Sequence, residues 1–134
     1  MILTPHFNKK EFASRDGAGM PEPIWQNIRI LASQLEVLRA HLGKPINVTS
    51  GYRSESYNER IGGVKGSQHT LGKASDLQVK GLKPKTIYKA IEKLIEQGEM
   101  LQGGLGLYDT FVHYDIRGTE ARWDNTSKDE QKAV

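Results

Sequence analysis

The chain carries four histidines and no cysteine among its 134 residues. Cysteine nucleophiles, thiolate zinc sites and disulfides are therefore excluded, and any metal must be held by imidazole nitrogen and carboxylate oxygen. Two of the histidines, His69 and His113, lie in segments crowded with Gly, Ser and Asp, where loops or strand ends meet. In Ser67-Gln-His-Thr-Leu-Gly-Lys-Ala-Ser-Asp76 the His and the Asp are seven residues apart. On one continuous strand that odd spacing sends them to opposite faces, but the Gly72-Lys73 pair permits a chain reversal, after which the two side chains converge. A neutral nitrogen beside an anionic oxygen suits zinc, and it suits a plain hydrogen-bonded pair as well. In the second segment a period of two places Phe111, His113 and Asp115 on one strand face, with Val112, Tyr114 and Ile116 on the other. A third ligand from that polar face would complete a catalytic metal site.

The surrounding elements are readable from their periodicity. From Pro21 to Leu42 the apolar residues Ile24, Ile28, Leu31, Leu35, Leu38 and Leu42 recur at steps of three and four, with Pro23 near the start and Gly43 past the end, which predicts a long helix. Lys83 to Gln97 repeats the pattern through Ile87, Ala90, Ile91, Leu94 and Ile95, and Ser54 to Ile61 reads as a short helix capped by Ser54. Phe7 to Phe12 reads as a helical turn with two Phe rings on the core, and Val64 to Lys73 as loop. Pro45–Ser50, Ala74–Val79, Gly103–Tyr108 and Thr110–Ile116 read as strands. The polar end from Asp124 to Val134 has no apolar residue before Ala133, so a domain over 1–123 followed by a mobile tail over 124–134 is expected. The sum is a single α+β domain: a small, mostly antiparallel sheet with a long N-terminal helix and a second helix.

Composition narrows the partners. With 37% hydrophobic and 26% charged residues the chain is neither disordered nor fibrous. Its net charge of +3 arises within residues 1–67, where nine bases face six acids. No run reaches the roughly 18 apolar residues of a membrane span, and the first residues, Met1-Ile-Leu-Thr-Pro-His6, have neither the basic nor the apolar region of a signal peptide. The bases are not interleaved with aromatics in a nucleic-acid motif. Neither nucleic acid nor membrane is an expected partner, and a monomer made in the cytoplasm is expected.

Taken with Arg53 in Ser50-Gly-Tyr-Arg-Ser54, the set of His69, Asp76, His113 and Asp115 resembles the zinc D-alanyl-D-alanine carboxypeptidase family of peptidoglycan peptidases. That group includes phage endolysins and D,D-dipeptidases, and is more distantly similar to lysostaphin-type enzymes and the hedgehog domain. The resemblance runs from about Phe7 to Trp123, and the motif S-x-H-x-x-G-x-A-x-D is met by Ser67, His69, Gly72, Ala74 and Asp76. It implies a hedgehog/D,D-peptidase-like fold and Zn²⁺ held by His69, Asp76 and His113. It also implies Arg53 as the arginine that binds substrate and stabilises the oxyanion, with metal-activated water cutting peptidoglycan stem peptides in carboxypeptidase or endopeptidase fashion.

Several branches of that family carry an acidic base three residues before the last His, where this chain has Thr110. Asp115 is then the expected base, or else the group that orients a ligand; Asp109, at an even separation from His113, is the alternative. Tyr52, Tyr57, Tyr108 and Tyr114 are candidates to line the cleft, with no catalytic role assigned. Without a competent base the chain would instead be a non-catalytic cell-wall or protein-binding module with a structural zinc. The absence of a leader suits a phage-encoded enzyme acting at the cell wall.

Overall fold

A computed structural model describes residues 2–127. Its architecture follows from two apolar stripes. Helix α1, Glu22–Leu42, buries Ile28, Leu31, Ala32, Leu35 and Leu38; Pro23 stands in its first turn and Gly43, at φ 66°, closes it in the left-handed region that glycine tolerates. Helix α3, Pro84–Glu96, buries Ile87, Ile91, Leu94 and Ile95 and packs on both α1 and the sheet. Between them lies α2, Glu55–Arg60, capped as expected by Ser54, whose hydroxyl accepts the Tyr57 N–H at 3.1 Å.

The strands are short: β1 (Ile2–Thr4), β2 (Phe7–Asn8), β3 (Asn47–Ser50), β4 (Ala74–Gln78), β5 (Gly104–Leu107), β6 (Val112–Asp115) and β7 (Ala121–Asp124). The first two form a hairpin; the others make one sheet in the order β3-β4-β6-β5-β7, antiparallel except for the parallel β5–β7 pair. The protein is thus an α+β domain with a mostly antiparallel sheet. Neither the β1–β2 hairpin nor β7 shows an apolar alternation in the sequence, which is why neither was expected. Phe7–Phe12 divides between strand β2 and a 3-10 turn at Lys9–Phe12, with both rings buried. Strand β7 runs through Asp124, past the boundary expected at 123, and Asn125 N–H donates to Leu107 O at 2.8 Å. The rest of the expected tail, from residue 128 on, lies outside the described residues.

Register assigns the two sheet faces. Leu77, Leu105, Leu107, Val112 and Tyr114 join the helices in one buried core. The opposite face carries Ala74 beside Asp115 and Gly104 beside Ala121, and next to them the row Asp76, His113, Gly106 and Trp123. The residues singled out for chemistry lie on this second face.

Candidate active site

The first half of the site is local. Ser67 caps a 3-10 turn over Gln68–Leu71, its hydroxyl accepting the His69 N–H at 3.1 Å. The turn ends at Gly72, with φ 73°. A Cβ there would also press on Ile24 of α1, so the reversal expected at Gly72-Lys73 requires glycine on two counts. The chain then enters β4 and delivers Asp76, whose Oδ1 lies 3.3 Å from His69 Nε2.

The second half comes from pairing. His113 on β6 sits opposite Asp76 on β4, and its Nδ1 is 3.3 Å from the same Oδ1. The three ligand atoms lie within 4.8 Å of one another, and all three residues are buried.

Hydrogen bonds on the far side of each ring fix what its near nitrogen presents. His69 Nδ1 stands 2.7 Å from the carbonyl of Gly51, which can only accept, so Nδ1 carries the hydrogen and Nε2 presents a lone pair. His113 Nε2 stands 2.7 Å from Asp115 Oδ2, so Nδ1 presents the lone pair in turn. Asp76 Oδ1 is buried with no hydrogen-bond donor among the described residues. Two lone pairs and an unpartnered carboxylate oxygen converging on one point call for a cation. Burial opposes a charged His113, yet Asp115 and Asp76 on either side outweigh it and hold this imidazole above its usual pKa. A metal ion fits the same place: two imidazoles and one carboxylate are a donor set suited to zinc with room for a further ligand.

Asp115 is fully buried. Its Oδ1 accepts from Gly104 N–H at 2.8 Å, Arg117 N–H at 3.1 Å and Arg117 Nε at 2.9 Å. Its Oδ2 accepts from Arg117 Nη2 and His113 Nε2, both at 2.7 Å. Burial alone would raise this carboxyl, but His113 and Arg117 hold it well below the usual carboxylate range. With five donors already on it, the carboxylate is placed to orient His113, and no lone pair is left for a proton from the cleft. Of the two roles open to Asp115 in the sequence, the geometry favours orientation. Asp109 is exposed at the β5–β6 turn, where its Oδ1 accepts the Ser127 N–H at 2.8 Å, and it does not line the cleft. Thr110 is exposed beside it.

Arg53 follows β3. Its N–H donates to His69 O at 3.0 Å, and its guanidinium reaches Ser50 Oγ at 3.2 Å, Asn58 Oδ1 at 3.3 Å and Asp76 Oδ2 at 3.4 Å. All three side-chain contacts are long, so the fork is held near Asp76 with donors available to a stronger acceptor.

These residues floor a cleft of about 520 Å³. Its lining also takes in Ile61–Val64, Gly66, Tyr108, Phe111, Arg117 and Trp123. Of the four tyrosines considered from sequence, Tyr108 lines the cleft, whereas Tyr52 and Tyr114 are buried in the core. Arg117, Trp123, Gly104 and Gly106 were not anticipated. A Cβ at Gly104 would run into Asp115 Oδ2, and one at Gly106 into the Trp123 indole. Glycines inside a strand signal close approach, and Gly103-Gly-Leu-Gly106 was the available clue.

The chain belongs to the peptidase M15 family, whose family model matches residues 5–115. It is 36% identical over 102 residues to the peptidoglycan L,D-endopeptidase MepK of Escherichia coli (strain K12), and equally so to the protein of that name from Shigella flexneri. The alignment takes in 69% of this chain and 52% of the relative, so the chain spans about half the length of the curated relatives it matches. Among the described residues no helix is long and apolar enough to cross a membrane.

Proposed function

We propose that this protein is a zinc-dependent peptidase that cuts peptidoglycan stem peptides, with His69, Asp76 and His113 as the metal ligands. The observation that carries the reading is the orphaned Asp76 Oδ1, faced by two imidazole nitrogens whose outer partners leave them as acceptors. Zinc held there supplies Lewis-acid polarisation of an amide carbonyl and a nucleophilic water near neutral pH. The chain's own groups do the rest. The Gly51 carbonyl and the Asp115 carboxylate orient the two rings, and Arg117 clamps Asp115. Arg53 offers a planar fork to a substrate carboxylate or to the oxygen on which charge develops. The open cleft and the endopeptidase activity named for the relative favour cleavage within the stem peptide over removal of a terminal residue.

A second reading has one specific observation behind it: among the described residues Asp76 is the sole acid lining the cleft. A zinc-braced binding module would look the same. Mass spectrometry of purified peptidoglycan fragments after incubation with the zinc-loaded protein separates the two. New free termini in wild type, absent with His69→Ala, are expected. Intact fragments that co-purify with the protein would overturn catalysis in favour of the module.

A further inference from the structure

We propose that the Tyr108 hydroxyl is a further catalytic group, a hydrogen-bond donor to the carbonyl oxygen of the bond being cut, aimed by the indole N–H of Trp123. The proposal rests on the reading above that the site hydrolyses amides. It starts from what the cleft lacks: among the described residues no acid besides Asp76 lines it, and both oxygens of Asp115 are occupied.

The register brings the two aromatics beside the metal-binding face. Trp123 on β7 shares a row with Gly106, His113 and Asp76, and Tyr108 and Phe111 follow just past β5 and just before β6, where Tyr108 N–H donates to Phe111 O at 3.1 Å. Because Gly106 has no side chain, the Trp123 indole lies over it and meets the His113 ring at 5.0 Å between centroids. Its Nε1–H donates to Tyr108 Oη at 3.0 Å. On its other side Tyr108 stacks on Phe111 at 4.3 Å, with the rings 10° from parallel.

The direction of the Trp123–Tyr108 bond decides the chemistry. An indole N–H can only donate, so the phenol oxygen is the acceptor and its own hydrogen points elsewhere. Among the described residues no acceptor takes that hydrogen, and Tyr108 lines the cleft. A phenol that already accepts a hydrogen bond is a better donor through its own O–H. Held by Phe111 on one side and by Trp123 at its tip, this donor pays little to order itself when charge develops on a carbonyl oxygen in the cleft. Only a hydrogen bond is asked of it, and the phenol keeps its proton throughout. Trp123 comes from strand β7, beyond the residues 5–115 that the family model matches.

Tyr108→Phe is the direct test, since it keeps the stack on Phe111 and removes the hydroxyl alone. In the zinc-loaded protein kcat should fall about 10²-fold with KM changed by less than about threefold, the pattern of a donor used in the transition state. Trp123→Phe should cost less, and in the double variant it should add little, because the aiming donor then has nothing to aim. Affinity for a phosphinate isostere of the peptide, measured by calorimetry, supplies a readout besides turnover. It should weaken about tenfold or more in Tyr108→Phe while zinc content and affinity for the product peptide stay at wild-type values. Wild-type kcat and phosphinate affinity in Tyr108→Phe would overturn the proposal, as would a loss that tracks zinc content. If wild type cuts no peptidoglycan peptide but hydrolyses another peptide amide, with turnover and phosphinate affinity that fall in Tyr108→Phe, the substrate reading fails and the role of the hydroxyl stands. If wild type neither cuts nor binds, both fall.

Discussion

The two faces of the five-stranded sheet are built from the same strands under different rules. Toward the helices, Leu77, Leu105, Leu107, Val112 and Tyr114 are held by volume and burial, interactions that have no direction. Toward the cleft, Asp76, His113 and Asp115 are held atom by atom. Asp115 alone accepts five hydrogen bonds, and glycines at 104 and 106 leave room for the groups that reach over them. The first face answers to how much apolar matter is present, the second to where single lone pairs point. Damage to the cleft face should therefore abolish function with little loss of fold, and damage to the helix face should do the reverse.

The sharpest way to break this contrast is at the ligands. His69→Ala and His113→Ala should each lower bound zinc from about one per chain to a small fraction of that, by metal analysis, and drop hydrolysis by more than about 10³-fold. The circular dichroism spectrum should be unchanged. Equal zinc content in wild type and either variant would remove the residue from the metal site. Leu105→Ala, one position from Gly106 on the other face, should instead cost about 2–5 kcal/mol in denaturant unfolding, the range for deleting a fully buried leucine side chain. Its zinc affinity, measured well below the unfolding transition, should match wild type.

Asp115→Asn probes the cleft face at one remove. All five contacts donate into the carboxylate, so an amide NH₂ in place of either oxygen must confront at least two donors. An orienting role predicts zinc affinity about 10- to 100-fold weaker, with turnover returning when excess zinc is supplied. A base predicts the opposite split: unchanged zinc content and turnover down about 10²-fold even at saturating metal. Asp109→Asn, removing the same charge at the exposed turn, should do neither.

How legible these faces were in the sequence follows from the range of the interactions that make them. The helix stripes and their punctuation are local, and so is the reversal at Gly72, which is why α1, α3 and the approach of His69 to Asp76 could be read directly. The pairing of His113 with Asp76 needs the β4–β6 register, and only the family resemblance suggested it. Strand β7 has no alternation of its own; it exists because Ala121–Asp124 finds the edge of β5, so Trp123 could not be placed over Gly106 beforehand. Asp115 kept two roles for the same reason. Its partner on the strand, His113, was visible, but the Gly104 N–H that occupies its Oδ1 comes from a neighbouring strand.

The smallest expected effect tests whether directional bonding matters away from the buried sheet. Asp16 is exposed, and its carboxylate accepts from Ser54 Oγ at 2.6 Å, Ser14 Oγ at 2.7 Å and Ala18 N–H at 3.0 Å, tying the first loop to the cap of α2 just after Arg53. The Ser54 hydrogen bond, followed by those of Ser14 and Ala18, holds its pKa down at about 2. A carboxyl whose pKa is lower folded than unfolded contributes stability that is present above its unfolded value near 4 and is lost as pH falls toward its folded value near 2. Asp16→Asn should therefore melt below wild type at pH 7, and the gap should close between about pH 4 and pH 2 even though both proteins weaken there. Because the residue is exposed, the gap should be smaller than that of Leu105→Ala. A gap that persists unchanged at pH 2 would show that Asp16 acts by shape and not by charge. A gap as large as that of Leu105→Ala would show that an exposed directional contact counts for as much stability as buried apolar volume, against the ranking by burial.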